Sequence, residues 1–314
     1  MPRQEGKGSV VYMIGKAVVE ALQRFIPKEN IHLQESMAGH TTFRIGGPAD
    51  CFVQLESEDQ LKRVRRYLEM AGVPHFVLGN GSNLLVDDDG YRGVILQIGS
   101  KMSRIRVEGR YIVAEAGATL SQVARSAIEH GLTGLEFASG IPGTVGGGVV
   151  MNAGAYGGEM SQVVTLVNVV SREGETLSLE NETMEFGYRT SVIRQSSFVV
   201  TEVTFRLEQG DRETIRATME ELAARRREKQ PLEYPSAGST FKRPEGNFAG
   251  KLIMEAGFRG VQVGGARVSD KHCGFIVNVG NASARDVREL MERIQSQVKE
   301  RFHVDLEPEI VFLG

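Results

Sequence analysis

Two cysteines in 314 residues, Cys51 and Cys273, cannot build a disulfide framework. That scarcity fits a reducing compartment, and a cytoplasmic location is expected. An excess of one charge is also missing: 37 Lys and Arg face 40 Asp and Glu, for a formal net charge of −3. Dedicated nucleic-acid binders carry a basic excess, so that class is excluded, although a local anion pocket is not. No apolar run reaches membrane-spanning length, so no membrane span is expected. The apolar stretch from Val10 to Leu22 is broken by Lys16 and Glu20 and does not read as a signal peptide. The six His stand apart, with no H-x-H or H-x-x-x-H pair, so no metal site is expected. There is no G-x-S-x-G nucleophile elbow and no G-x-x-x-x-G-K-S/T phosphate loop. Gly79-x-Gly81 fails as a dinucleotide fingerprint: Leu84 stands where the third Gly belongs, and Val86-Asp-Asp-Asp-Gly90 follows instead of a helix.

What is present is ordinary globular material, 41% apolar and 25% charged, enough for a sizeable core. The length predicts two domains, with three small ones also open. Residues 1–12 carry no pattern and read as a frayed start. Ile14, Val18, Leu22 and Phe25 then have helical spacing, closed by Pro27. Ser57-Glu-Asp-Gln60 and Thr119-Leu-Ser-Gln122 are capping boxes, each opening a helix that a Gly ends, at Gly72 and Gly131. Strand-like runs lie at His75–Leu78, Gly93–Ile98, Tyr111–Ala116, Val163–Val170, Thr176–Leu179 and Phe198–Leu207. A helix spans Arg212–Lys229, and its cationic tail, Arg225 to Lys229, reads as a solvated helix end. Residues 230–238 (QPLEYPSAG) have linker composition. Beyond them come a helix near Gly250–Ala256, a strand at Cys273–Val279, a long helix capped by Ser283 and a last strand at Ile310–Leu313. The class is α+β.

The 37 Gly are clustered. Three loops hold many of them: Gly79-Asn-Gly-Ser-Asn83, Gly140-Ile-Pro-Gly-Thr-Val-Gly-Gly-Gly148 and Asn152-Ala-Gly-Ala-Tyr-Gly-Gly158. Gly permits positive φ and close ligand approach, and successive N–H groups can cradle a pyrophosphate. A phosphate-bearing ligand is therefore expected on a scaffold outside the common nucleotide folds. Asp87-Asp-Asp89 reads as a solvated turn, and His272-Cys273 as a structural pair. Arg189, Ser239 and Glu309 lie in distinctive segments far apart in the chain. Pattern alone leaves a surface position as the default for Arg189 and Glu309.

Taken together the segments resemble the UDP-N-acetylenolpyruvoylglucosamine reductase family, from about Thr41 to Phe312. The resemblance is carried by Thr42-Phe-Arg-Ile-Gly-Gly-Pro-Ala-Asp50, Leu78-Gly-Asn-Gly-Ser-Asn-Leu-Leu85, the second and third Gly loops, Phe186-Gly-Tyr-Arg189, Ala237-Gly-Ser-Thr-Phe-Lys-Arg-Pro244, Val263-Gly-Gly-Ala266 and Leu306-Glu-Pro-Glu-Ile310, all in the family's order. It implies a two-lobed FAD-binding unit of the vanillyl-alcohol-oxidase (PCMH) type, followed by a C-terminal α+β substrate-binding domain. The implied division is an N-terminal helical segment at 1–30, FAD lobes at 31–100 and 101–229, and the substrate domain at 230–314. The stretch from Tyr188 to Phe198 is short, which is similar to the family branch lacking an extra Tyr loop.

The resemblance also implies roles. FAD is expected non-covalently, because the first Gly loop offers Ser82 and Asn83 and no His or Cys tether. Its residues would be Arg44; Gly79, Asn80, Gly81, Ser82, Asn83 and Leu84; Gly140, Ile141, Pro142, Gly143, Thr144, Gly146 and Gly147; and Asn152, Ala153, Gly154 and Gly157. NADPH would donate hydride to FAD and leave. The enolpyruvyl ether of a UDP-sugar would then accept hydride at C3. Arg189 would bind its carboxylate, Glu309 would stabilise the enol and Ser239 would protonate C2. Tyr188, Lys242, Arg243 and Lys251 would bind the substrate, and a monomer is expected. Two other readings stay open: another FAD oxidoreductase of the same fold, and a non-catalytic nucleotide-sugar binder.

Overall fold

A computed structural model describes residues 14–314, so the reading of residues 1–12 lies outside the described chain. The first helix covers Lys16–Leu22. A four-stranded sheet follows, in the order Ile31–Ser36, Pro48–Gln54, Tyr91–Gln97, His75–Leu78. The first pair is antiparallel and the other two are parallel. The two central strands bury consecutive residues, Ala49 to Val53 and Val94 to Leu96. That is the signature of strands covered on both faces. The crossover helix Glu58–Met70 turns Leu61, Val64 and Leu68 inward. Its cap differs from expectation: Ser57 Oγ accepts from Gln60 N–H, but the Gln60 side chain accepts from Glu56 N–H, one residue upstream of a reciprocal box.

A second sheet has five antiparallel strands, Thr176–Glu180, Val164–Val170, Val199–Arg206, Tyr111–Glu115 and Ile105–Glu108, in that order. The Thr119 box opening helix Leu120–Glu129 is complete. Helix Arg212–Lys229 starts on Asp211, whose carboxylate accepts from Thr214 N–H. One apolar core runs from Leu22 and Leu61 to Phe205 and Leu207, so both sheets share it. Arg65 pins them together: it is buried, and its guanidinium donates to the carbonyls of Val170 and Ser171 at 2.7 and 3.0 Å and to that of Ser197.

The last third builds a small antiparallel sheet, Gln262–Val263, Ala266–Val268 and Ile276–Asn278, under the long helix Ala284–Phe302. That helix buries Val287, Leu290, Met291, Ile294 and Val298. Its core also takes Phe43, Ile45 and Leu85 from the first third. The final strand, Val311–Leu313, runs parallel to Leu84–Val86, directly after the first Gly loop. Asp88, expected in a solvated turn, instead accepts from Ala284 and Arg285 N–H at 2.7 and 3.1 Å, and Asp87 pairs with Arg288. A carboxylate is stabilised at the positive end of a helix, which is why this turn is occupied. Among the described residues no helix is long and apolar enough to cross a membrane.

Candidate active site

The Gly79–Asn83 loop leaves strand His75–Leu78 and enters strand Leu84–Val86. None of its five backbone N–H groups donates to an acceptor among the described residues. Gly81 sits at φ +58°, and a Cβ there would lie 2.1 Å from the carbonyl oxygen of His40. Gly79 is also closely packed: its Cβ would meet Thr144 Oγ1 at 2.4 Å, so that hydroxyl would have to shift. Asn80 Nδ2 donates to the carbonyl of Pro142 at 2.6 Å, so the first loop rests on the second. A row of unpaired donors shaped by closely packed Gly fits a flavin pyrophosphate.

The second loop divides. Gly140, Gly143 and Thr144 have N–H groups without an acceptor among the described residues, but Val145–Val150 is a helix where a loop was expected. Thr144 caps it, accepting from Gly147 N–H. Three Gly disfavour a helix; packing overrides that cost. A Cβ on Gly146 would stand 3.0 Å from Ala116 Cβ, and one on Gly148 3.2 Å from Leu120 Cδ1. Gly146 and Gly147 thus serve close packing and the cap, with their N–H groups used internally.

In the third loop Asn152 is buried at positive φ. Its amide donates to the Gly187 carbonyl at 3.1 Å and its Oδ1 accepts from Ser161 N–H at 3.0 Å. It therefore fastens this loop to the tight turn Gly187-Tyr-Arg-Thr190, which is closed by paired backbone bonds between its ends. Ala153 N–H donates to the Gly148 carbonyl, and Gly157 turns at φ +88°. Arg44, also at positive φ, is exposed between buried Phe43 and Ile45, and Leu84 is buried. A polar hollow of about 180 Å³ lies between the first loop and the Gly39–Thr42 segment, lined also by Gln97.

Arg189 and Glu309 meet. Arg189 Nε donates to Glu309 Oε1 at 2.7 Å, and Nη2 to the Gly154 carbonyl at 3.3 Å. Burial pushes the Glu309 carboxyl above its ordinary range, against the opposing pull of Arg189, Lys242 and Arg194. The Glu309 carbonyl accepts from Asn83 Nδ2 at 3.1 Å, which ties this carboxylate's backbone to the first Gly loop. Its N–H donates to the Thr240 carbonyl at 2.9 Å, within a short antiparallel ladder where Phe241 faces Pro308. Ser239 adjoins Thr240 in that ladder and is half-buried. Thr240 itself is buried, with its hydroxyl accepting from Ile276 N–H at 3.0 Å. An arginine and a carboxyl with raised proton affinity thus meet beside the Gly loop, with Ser239 close by in the chain, one residue from the Thr240 carbonyl that accepts from Glu309 N–H.

Among the substrate candidates, Lys242 pairs with Glu307, next to this ladder. Tyr188 and Arg243 are joined by a hydrogen bond from Arg243 N–H to Tyr188 Oη at 3.1 Å. Lys251 sits on helix Ala249–Glu255, one turn after Phe248, with Glu255 3.8 Å away. One residue was missed. Arg225 pairs with Glu221 as a solvated helix end should, but Arg226 turns inward. A Cβ on Gly140 would lie 3.2 Å from its Cδ and Nη1, and burial lowers its pKa. The signal was available: Ile215, Met219, Leu222 and Arg226 recur at helical spacing on one face. Among the described residues no group of three or more His, Cys, Asp and Glu side chains could hold a metal.

Comparison with known proteins fits this architecture. Residues 49–180 match the family described as FAD binding domain, and residues 230–313 the family described as UDP-N-acetylenolpyruvoylglucosamine reductase, C-terminal domain. A UDP-N-acetylenolpyruvoylglucosamine reductase from Caldanaerobacter subterraneus subsp. tengcongensis is 50% identical over 96% of this chain and 99% of its own. One from Clostridium novyi is 48% identical over 93% and 95%. The crystal structure of the Thermus caldophilus reductase superposes with a TM-score of 0.78 at 37% identity, covering 90% of this chain and 98% of that one. The chain belongs to the UDP-N-acetylenolpyruvoylglucosamine reductase family.

Proposed function

We propose that this chain reduces the enolpyruvyl ether of UDP-N-acetylglucosamine enolpyruvate to UDP-N-acetylmuramate with NADPH and FAD, in peptidoglycan precursor synthesis. The observation that carries the site assignment is the Arg189–Glu309 pair at 2.7 Å, fixed to the first Gly loop through Asn83. When bound, FAD would supply the hydride-transfer chemistry that carries hydride from NADPH to C3 of the enolpyruvyl group. Gly79–Asn83, with Gly140, Gly143 and Thr144, holds its pyrophosphate on backbone N–H groups. Arg189 binds the substrate carboxylate, because a guanidinium stays charged and bonds two oxygens in a fork. Negative charge that develops on that carboxylate in the transition state meets a fixed cation. Glu309, with its raised proton affinity, stabilises the enol. The Ser239 hydroxyl gives its proton to C2, so hydride and proton together saturate the double bond. Lys242, Arg243 and Tyr188 bind the UDP-sugar, and a cytoplasmic monomer divided at residues 30, 100 and 229 completes the reading.

The purified protein is expected to be yellow, to bleach with NADPH and to regain colour on addition of UDP-N-acetylglucosamine enolpyruvate. Colour that returns only with oxygen would identify an oxidase; a colourless protein would identify a binder. Acid precipitation is expected to leave the flavin in the supernatant, since the Gly79–Asn83 loop itself carries no His or Cys. Colour retained in the pellet would contradict non-covalent binding.

A further inference from the structure

Phe248 is 58% exposed. Single exposed aromatics are ordinary, but this ring is held in a row. The Arg243 guanidinium lies over it, with Cζ 4.1 Å from the ring centroid. Arg243 N–H is bonded to Tyr188 Oη, and Arg189 Cζ lies 5.1 Å from the Tyr188 ring centroid. Arg189 in turn holds Glu309. An alternation of cation and aromatic thus runs outward from the acid centre: Glu309, Arg189, Tyr188, Arg243, Phe248. Lys242, next to Arg243 in the chain, pairs with Glu307 and its charge also acts on the Glu309 carboxyl at the inner end. The chemical order is an anion-binding Arg at the inner end, a second Arg midway and an open aromatic ring at the outer end. A UDP-sugar bearing a carboxylate has the complementary order: carboxylate, diphosphate, planar base.

We propose that Phe248 is the stacking platform for the nucleobase of the substrate, oriented by Arg243, and that it sets selectivity for a base-bearing diphosphate. This rests on the reading of the substrate as a UDP-sugar. Arg243 covers part of the ring, and the exposure of Phe248 leaves room for a base. Stacking a base on an aromatic side chain is favourable by about 1–3 kcal/mol. Being exposed, the ring can be replaced without opening a core.

The test uses the flavin-loaded protein. In F248A the substrate concentration giving half-maximal flavin reoxidation should rise about 5- to 150-fold, the equivalent of that stacking energy. The limiting rate should stay within about twofold, as for loss of uniform binding. The chain contains no Trp, so F248W introduces a single indole as a reporter. UDP should quench its emission saturably, whereas inorganic pyrophosphate should not. An unchanged half-saturation in F248A overturns the platform, as does F248W emission indifferent to UDP that still competes with substrate. Failure of the wild type to be reoxidised by the enolpyruvyl substrate overturns the reaction itself, so the two failures are distinct.

Discussion

In the Gly79–Asn83 loop the reactive feature is the backbone: five consecutive N–H groups without an acceptor among the described residues, shaped by closely packed Gly. At Arg189 and Glu309 the backbone only positions, and side chains 120 residues apart make the contact. The first region is local and its chemistry follows from composition. The second is assembled by the fold, through the final strand beside Leu84–Val86 and the ladder that sets Thr240 against Glu309. Cofactor retention and turnover should therefore be separable by mutation.

The largest effect is expected at Gly81. Gly81→Val puts a β-branched residue at φ +58° and a Cβ against the His40 carbonyl, a strain of about 1–3 kcal/mol from the torsion alone. The product should be a colourless protein, measured by its flavin absorbance per chain. Full flavin content in that variant would break the assignment of the loop as the cradle.

Arg189→Lys should retain FAD but weaken handling of the carboxylate. Losing a charge-assisted hydrogen bond of about 1.5–3 kcal/mol predicts a drop of about 10- to 150-fold in kcat/KM for the enolpyruvyl substrate. A lysine variant of undiminished kcat/KM would contradict a forked contact.

The smallest effect is on stability. The Glu309 carboxyl is raised above its ordinary range, so the folded state holds that proton more tightly than the unfolded state does. Stability from this group is present at low pH and is lost as pH rises through its raised pKa. Glu309→Gln removes the titration. The melting temperature of the wild type relative to the variant should therefore fall as pH rises from about 4, the ordinary carboxylate value. A relative increase over the same range would mean that the Arg189 attraction outweighs burial.

The same contrast explains what could be read from the sequence. Helix Arg212–Lys229 and the buried stripe of Ala284–Phe302 were legible because spacing and caps are local. The short strand Leu84–Val86 was not, since three residues give no period and a partner more than 220 residues away defines it. Val145–Val150 was misread because its Gly content disfavours a helix, and only contact with Ala116 and Leu120 explains it. Asp88 looked like turn chemistry until the long helix supplied its N-terminus. Arg189, Ser239 and Glu309 were named through family resemblance; nothing in their local pattern brings them together. Arg226 could have been found by extending the apolar helical stripe to its cationic end.

Separability is tested most directly at Ser239, which adjoins the Thr240–Glu309 ladder and takes no part in the Gly loops. Stopped-flow absorbance of Ser239→Ala should show flavin content and NADPH-driven bleaching near wild type. Reoxidation by the enolpyruvyl substrate should slow by about 10²–10⁴-fold, as for loss of a general acid, with Ser239→Cys slowed less. Reoxidation of Ser239→Ala at the wild-type rate would contradict the account.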